Sequence, residues 1–300
     1  VAELALSVQD ELAAAAAQLR VAGITASRRE ALLLWSGLEG SAPGEVLVRD
    51  SLAGRGALVA RFRRAVARRI AGEPIQYVVG TTGFRRLILA TDRRALIPRP
   101  ETEGVIDLAL HLAPSGRALD LGTGTGCLAL ALADEGSYRD VTGIDASVDA
   151  LSLARENSGR CGFDCHPERS AGSLASLGMT KMRFLLGDWT APVLGERFDV
   201  IVTNPPYIAT DELAGLDRSV TAWEPPSALD GGRTGLEVPR LVLDQARAVA
   251  APGAALVMEL DATRASATAD IARALGWTDV KVHDDLFGRP RYLTARQESS

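Results

Sequence analysis

Lysine is almost absent from this 300-residue chain: Lys181 and Lys281 are the only two, and arginine supplies every other fixed positive side-chain charge. We read that as a bias of base composition, not as function. Cysteine is scarce too. Cys127, Cys161 and Cys165 form an odd, sparse set, which argues against a disulfide framework. Cys161, Cys165 and His166 lie close in sequence, but no second ligand pair accompanies them and His111 and His283 stand alone, so no metal is expected. No apolar run reaches about 18 residues, so no membrane-spanning helix is expected. The Ala-rich start carries Glu3, Asp10 and Glu11 and lacks a basic stretch, so it does not read as a signal peptide, and the expected location is cytoplasmic. A positive surplus is also missing: the net charge is −5, which gives no global footprint for nucleic acid. What is present is an apolar content of 47%, ordinary for a globular chain, over a length that suits about two domains.

Leu4, Val8, Leu12, Ala15 and Leu19 recur at helical spacing, so residues 4–21 read as a helix. Ser27-Arg-Arg-Glu30 has the form of a capping box opening a second helix that runs to Gly37. Leu52 to Ala71 reads as a third, arginine-rich helix, with Arg61, Arg63, Arg64, Arg68 and Arg69 as a solvated face. Residues 1–75 are therefore expected to form a helical domain that recognises a protein partner and carries no catalytic constellation. Gly80, Gly83 and Thr91-Asp92 punctuate short β-like runs between Tyr77 and Leu96, which predicts a β-hairpin linker over residues 76–100. Glu101-Thr-Glu103 opens a helix, two acids suiting its positive N-terminal end. Strands then alternate with helices over residues 101–300. Strands are expected at Arg117–Leu121, Asp140–Ile144, Arg183–Leu186, Phe198–Thr203, Ala254–Leu260, Val280–Val282 and Arg291–Leu293. Helices are expected at Cys127–Ala133, Val148–Asn157, Val238–Ala250 and Ala265–Leu275. This pattern predicts a doubly wound α/β sheet.

Asn204-Pro205-Pro206-Tyr207 directly follows the apolar run Phe198–Thr203. The prolines cannot donate backbone hydrogen bonds, so the peptide carbonyl before them is free to face a site. The Asn204 side-chain oxygen is a second acceptor. Two converging acceptors suit a planar NH2 group, either an amide or the exocyclic amine of a base, and Tyr207 can pack on that flat group. A plain Pro-rich turn has the same letters, so the tetrad needs support from elsewhere in the chain.

That support lies at the other strand ends. Asp120-Leu-Gly122-Thr123-Gly124-Thr125-Gly126 sits between the first strand and its helix, where glycines let the backbone turn sharply and approach a ligand. The spacing is GxGxG, not the dinucleotide GxGxxG, and a carboxylate precedes it. A pyrophosphate needs a helix N-terminus free of carboxylate; an acid suits the ammonium of an amino-acid moiety. Asp145 ends the second strand, where a carboxylate can accept both hydroxyls of a ribose. Asp188-Trp189 ends the third, with Asp188 placed to accept from an adenine amine and Trp189 to form an apolar wall. Amino acid, ribose and adenine together make S-adenosyl-L-methionine the expected cofactor.

The chain resembles the protein-(glutamine-N5) methyltransferase family, the release factor glutamine methyltransferases. The matching pieces, in order, are Gly72–Tyr77, Leu96-Ile-Pro-Arg-Pro-Glu-Thr-Glu103, Leu119–Gly126, Gly143-Ile-Asp145, Gly187-Asp-Trp189, Asn204–Ile208, Glu224-Pro-Pro-Ser-Ala-Leu-Asp-Gly-Gly232 with Gly235-Leu236, and Asp285–Arg291. The glycine loop is common to most methyltransferases and the Asn-Pro-Pro-Tyr tetrad to several amino-methylating ones. The segments at 96–103 and 224–232 are the specific parts. Two features depart from the pattern. Glu259-Leu260-Asp261 replaces the usual Glu-Ile-Gly, and residues 162–180 read as an inserted surface loop with no catalytic role.

The resemblance implies a seven-stranded class I methyltransferase domain and a substrate: the glutamine of a Gly-Gly-Gln loop in a peptide-chain release factor. With no long apolar run and an acidic balance of charge, no membrane and no direct nucleic-acid substrate are expected, and a monomer is expected. The amide nitrogen is a poor nucleophile because its lone pair is delocalised, so positioning and electrostatics should supply most of the catalysis. Three other readings share these residues: a ribosomal-protein glutamine methyltransferase, a nucleic-acid amino methyltransferase acting on a flipped base, and a cofactor-binding recognition module without turnover.

Overall fold

The structure is a computed structural model that describes residues 7–48, 51–163 and 180–299. In chain order its first elements are α1 (Val8–Val21), α2 (Ser27–Glu39), α3 (Pro43–Leu47), α4 (Gly56–Ile70), α5 (Ile75–Val79), β1 (Thr81–Phe84) and β2 (Leu87–Ala90). Next come α6 (Glu103–Leu112), β3 (Ser115–Leu121), α7 (Cys127–Glu135), β4 (Ser137–Asp145), α8 (Val148–Arg160), β5 (Lys181–Leu186) and β6 (Phe198–Thr203). The chain closes with α9 (Arg218–Thr221), α10 (Glu237–Val249), β7 (Ala250–Glu259), α11 (Ala265–Ala274), β8 (Thr278–Asp284) and β9 (Pro290–Arg296). Among the described residues no helix is long and apolar enough to cross a membrane. Of the expected insert at 162–180, residues 164–179 lie outside the described residues, as do Cys165 and His166.

The chain divides into two compact units. One comprises Val1–Thr81 with Asp217–Trp223 and is helical. Its core is Leu12, Leu19, Leu34, Phe62 and Val66 around a fully buried Trp35, whose ring meets Phe62 edge-on at 4.9 Å. The capping box stands at Ser7 and Asp10, where the Ser7 hydroxyl accepts from the Asp10 amide at 3.1 Å and the Asp10 carboxylate accepts from the Ser7 amide at 2.9 Å. The one expected at Ser27 does not form. Ala26 is the N-cap there, Ser27 is already inside the helix, and Glu30 pairs with Arg69 at 2.7 Å. The helix expected from Leu52 is α4 and starts at Gly56, because Gly54 turns the chain with φ +73. Arg63 and Arg68 also pair with carboxylates, those of Glu11 and Glu73, so the arginine face is partly neutralised inside the unit. Tyr77 belongs to α5, not to the hairpin.

The other unit comprises Thr82–Leu216 with Glu224–Ser300. Its seven-stranded sheet has the order β5-β4-β3-β6-β7-β9-β8. The first five strands run parallel, and β9 is antiparallel to both β7 and β8. Strand alternation decides which residue meets which helix layer. Leu119 and Leu121 of β3 join the core beneath α10 and α11, whereas Ala118 joins the core beneath α6 and α7. Asp120 shares the parity of Ala118, which sends its side chain toward α7. The strand order reverses at β3, with β4 on one side and β6 on the other, and such a switch point opens a crevice at the strands' carboxyl ends. The register pairs Leu121 with Thr203, so Gly122 and Asn204 leave the sheet side by side. The Thr203 hydroxyl donates to the Leu121 carbonyl at 2.7 Å and fixes this pairing.

Candidate active site

The glycine loop folds back over the end of β3. Gly122, Gly124 and Gly126 have φ of +73, +53 and +83, which L side chains rarely adopt. Both the Gly122 and Thr123 amides donate to the Ile144 carbonyl at 2.9 Å. Asp120 lies beneath the loop, fully buried. Its Oδ2 accepts from the Thr123 hydroxyl at 2.6 Å and from the Ala129 amide, in the first turn of α7, at 3.1 Å. Its Oδ1 is buried without a hydrogen-bond partner. Burial pushes its pKa up to about 7, the two hydrogen bonds opposing.

Asp145 stands at the end of β4. One carboxylate oxygen accepts from the Gly124 amide and the other from the Ser147 amide, each at 2.9 Å. Burial raises its pKa and these donors oppose the rise. Each oxygen keeps a further lone pair for a ligand. Asp188 is exposed, and Trp189 holds φ +48. A Cβ on Gly122 would lie 3.6 Å from the Trp189 ring, so loop and indole form one wall. Asn157, fully buried on α8, braces the loop from behind: its amide donates to the carbonyls of Thr125 at 3.0 Å and Ala90 at 3.1 Å.

The Asn204-Pro205-Pro206-Tyr207 turn is held by side chains from distant segments. Asn204 Nδ2 donates to the Thr102 hydroxyl at 3.2 Å, leaving its Oδ1 as the open acceptor. The Tyr207 hydroxyl donates to Glu259 Oε1 at 3.1 Å. Residues 229–231 pack on the turn: Ile208 donates to the Leu229 carbonyl at 3.2 Å, and Gly231 donates to the Ile208 carbonyl at 2.8 Å. A Cβ on Gly231 would lie 2.6 Å from Tyr207 Cα, so only glycine fits there. Glu224, 4% exposed, accepts from the Ile97 amide at 3.1 Å and pairs with Arg99, joining the 96–103 and 224–232 segments.

These parts share a cavity of about 360 Å³. Gly122, Thr123, Gly124, Thr125, Asp145, Asp188, Trp189, Asn204 and Pro206 line it, while Asp120, Gly126, Pro205 and Tyr207 do not. Arg94 and Arg99 also line it, but their guanidinia are paired, Arg94 with Asp92 and Glu156 and Arg99 with Glu224. Its free side-chain charge is therefore carboxylate, which favours a ligand bringing hydroxyls and positive charge. The cation-binding role expected of Asp120 at the cavity wall is not what the geometry displays, since its carboxylate already occupies the first turn of α7. That arrangement still disfavours a pyrophosphate at this helix end. The residues present therefore fit S-adenosylmethionine. Cys127 also lines the cavity, but burial pushes its thiol up to about 12, so it is no thiolate nucleophile.

Sequence reasoning missed Thr102 and Asn157 and read Glu259 as a turn residue only. Thr102 and Glu259 lie within or beside the quoted motifs, but nothing in their spacing shows that Thr102 meets Asn204 or that Glu259 meets Tyr207. Asn157 carried a signal, since a polar residue on the inner side of a helix must find partners.

A seven-stranded sheet with the carboxylate-lined crevice at its switch point defines a class I methyltransferase. Residues 105–216 match the family model described as Methyltransferase small domain, and residues 10–80 match the PrmC N-terminal domain. The chain is 38% identical to a release factor glutamine methyltransferase of Cereibacter sphaeroides over 96% of this chain and 97% of that one. It is 36% identical to one of Deinococcus radiodurans over 97% and 99%, and 35% identical to one of Rhodospirillum rubrum over 94% and 83%. Its fold is also that of a methyltransferase crystal structure from Pyrococcus furiosus, with a TM-score of 0.51 at 19% identity, covering 80% of this chain and 97% of that chain. The chain belongs to the release factor glutamine methyltransferase family.

Proposed function

We propose that this chain methylates the side-chain amide nitrogen of the glutamine in the Gly-Gly-Gln loop of a peptide-chain release factor, with S-adenosyl-L-methionine as methyl donor. The observation that carries the reading is the Asn204 carboxamide. Its nitrogen is engaged by Thr102, so its oxygen is the acceptor left in a cavity it shares with Asp145, Asp188 and Trp189. The cofactor, when bound, supplies an electrophilic methyl group on a sulfonium.

In this reading Asp145 accepts ribose hydroxyls and Asp188 an adenine amine, with Trp189 and the Gly122–Gly126 backbone as the surrounding wall. Asp120 acts from beneath, holding Thr123 and the start of α7. Asn204 Oδ1, in the cavity, accepts a hydrogen of the substrate amide, while Pro205, outside the lining, holds Asn204 in the turn. That orients the nitrogen and stabilises the positive charge it acquires, the same logic as an oxyanion hole with the sign reversed. Pro206 lines the slot for the flat amide, and Tyr207 anchors the turn through its hydrogen bond to Glu259. No strong base is required, because the amide nitrogen becomes acidic once alkylated and its extra proton leaves afterwards.

The two glycines of the substrate loop let an extended chain carry the glutamine inward. The domain arrangement we propose is residues 1–75 for recognition of the release factor, 76–100 as linker and 101–300 for methyl transfer. The enzyme is proposed to act as a cytoplasmic monomer without a nucleic-acid substrate. The test is methyl transfer from labelled cofactor to a recombinant release factor and to its Gln→Ala variant. Label on the first alone supports the reading. No label on either, with cofactor bound, refutes it and turns attention to a ribosomal-protein glutamine, then to a base amine.

A further inference from the structure

We infer that Leu286 and Phe287, at the tip of the β8–β9 hairpin, are a docking anchor for the release factor on the rim of the active site, seated in an apolar socket of that protein bordered by carboxylates. This rests on the proposed methylation of a release factor glutamine.

The motif Asp285-Leu-Phe-Gly-Arg-Pro-Arg291 takes no part in the cavity lining. Leu286 is fully exposed and Phe287 is 74% exposed. Large apolar side chains gain by leaving water, yet this loop is built to hold both outward. Asp285, itself buried, supplies the hold. Its Oδ1 accepts from the Phe287 amide at 2.8 Å and from the Arg289 amide at 3.0 Å. Its Oδ2 faces Arg289 at 3.7 Å and Arg291 at 3.6 Å. The Asp285 amide donates to the Arg289 carbonyl at 2.8 Å, and the Gly288 amide donates to the Asp285 carbonyl at 3.0 Å. Gly288 makes that turn with φ +74. The Arg289 guanidinium lies over the Phe287 ring at 5.4 Å and is exposed with it, so positive charge stands beside the apolar tip. A pair whose backbone is already fixed loses little freedom on binding, and aromatic and arginine side chains are the frequent anchors of interfaces.

The sheet register sets this tip on the rim. Thr203 of β6 is level with Met258 of β7, and Met258 with Leu293 of β9. Because β9 runs against β7, the residues before Leu293 lie toward and beyond the carboxyl ends of β6 and β7. Asn204 leaves the sheet at that same edge. Leu260 donates to the Arg291 carbonyl at 2.9 Å, and residues 285–289 project past that bond. Two strand spacings, about 10 Å, separate β9 from β6. A protein that delivers one glutamine to Asn204 has to rest its neighbouring surface on this edge. That favours the release factor as occupant over a second copy of this chain, which has no need to meet the cavity edge. Arg289 adds the preference for carboxylate around the socket. Leu194 is 65% exposed as well, but it precedes the amino end of β6, at the opposite edge of the sheet.

The test uses Leu286→Ser, Phe287→Ser and Phe287→Tyr in the full chain, with Leu194→Ser as control. Both serine variants should raise KM for a full-length release factor roughly 10–100-fold, the scale of losing an interface anchor. Their kcat, cofactor affinity and Tm should stay unchanged, because the side chains removed touch neither cavity nor core. Phe287→Tyr keeps the ring and should bind within a few-fold of wild type, and Leu194→Ser should match it. A second readout needs no turnover: calorimetric titration with a release factor whose loop glutamine is alanine. Its affinity should fall in the two serine variants by the same factor as KM rises. An unchanged KM and affinity, or a lowered kcat with unchanged KM, would overturn the inference. So would a wild-type dimer that the serine variants dissociate while release factor affinity holds, since the tip would then seat a second copy. If the wild-type chain methylates no glutamine yet release factor affinity falls as stated, the docking anchor stands and the proposed reaction falls. If the wild-type chain binds no release factor, the anchor falls.

Discussion

Asn157 closes both backbone hydrogen bonds of Ala90 across 67 residues of sequence, accepting from its amide at 2.6 Å and donating to its carbonyl at 3.1 Å. The same side chain donates to the Thr125 carbonyl. One buried amide thus ties the hairpin to the glycine loop. Asn157→Ala would strand these three backbone groups, at a cost of about 1–3 kcal/mol for each one left unsatisfied and less where water enters. We expect a Tm lowered by roughly 2–4 °C per kcal/mol, together with weaker cofactor binding. Thermal unfolding with and without cofactor checks both.

Gly231 faces Tyr207 so closely that a methyl group there would overlap the Tyr207 backbone at 2.6 Å. Gly231→Ala should push the 224–232 segment off the Asn-Pro-Pro-Tyr turn. The expected cost is about 1–3 kcal/mol of overpacking, with kcat falling further than the stability loss explains. Gly159→Ala is the control, because nothing lies within 4 Å of a Cβ at that position. Urea unfolding and initial rates on both variants give the comparison.

Asp120 has a pH signature. Its pKa is raised from 3.8 to about 7 in the folded chain. Between those values the folded state binds more protons than the unfolded state, so this group lowers stability as pH rises through the window and leaves it fully reduced above it. Asp120→Asn removes the titration and keeps one oxygen for Thr123 and Ala129. We expect the wild type to lose on the order of a few kcal/mol relative to this variant between pH 4 and pH 8. A constant difference between the two unfolding curves across that range would contradict the burial argument.

Glu224 ties Ile97 and Arg99 to the loop that follows it. Glu224→Gln keeps the shape but removes the buried charge facing Arg99. The expected result is a raised KM for the release factor with cofactor affinity intact, read by steady-state kinetics and calorimetry. Equal loss of both would mean that Glu224 supports the whole cavity instead.

Much of this was legible in the chain. The run Phe198–Thr203 is a strand with those bounds, because a buried parallel strand is continuously apolar. The glycine spacing announced a tight loop at the end of β3. The helix starts were harder. Ser27 and Glu30 have the letters of a capping box, yet Glu30 finds Arg69 and the cap goes to Ala26. Tertiary ion pairs overrode a local signal. Asp120 was visible as an acid next to glycines, but its direction follows from strand parity, which sends it under α7. Asn204 meets Thr102 across 102 residues of sequence and Tyr207 meets Glu259 across 52, and no local pattern encodes meetings of that kind.

Asn204→Ala gives the sharpest test of the proposed chemistry. The variant removes the free acceptor and leaves Asp145, Asp188 and the glycine loop in place. Cofactor affinity by calorimetry should be retained, while single-turnover methylation of a release factor falls roughly 100–1,000-fold, the scale of losing one preorganised polar partner of the transition state. Full turnover, or loss of cofactor binding in parallel with turnover, would contradict the role given to Asn204.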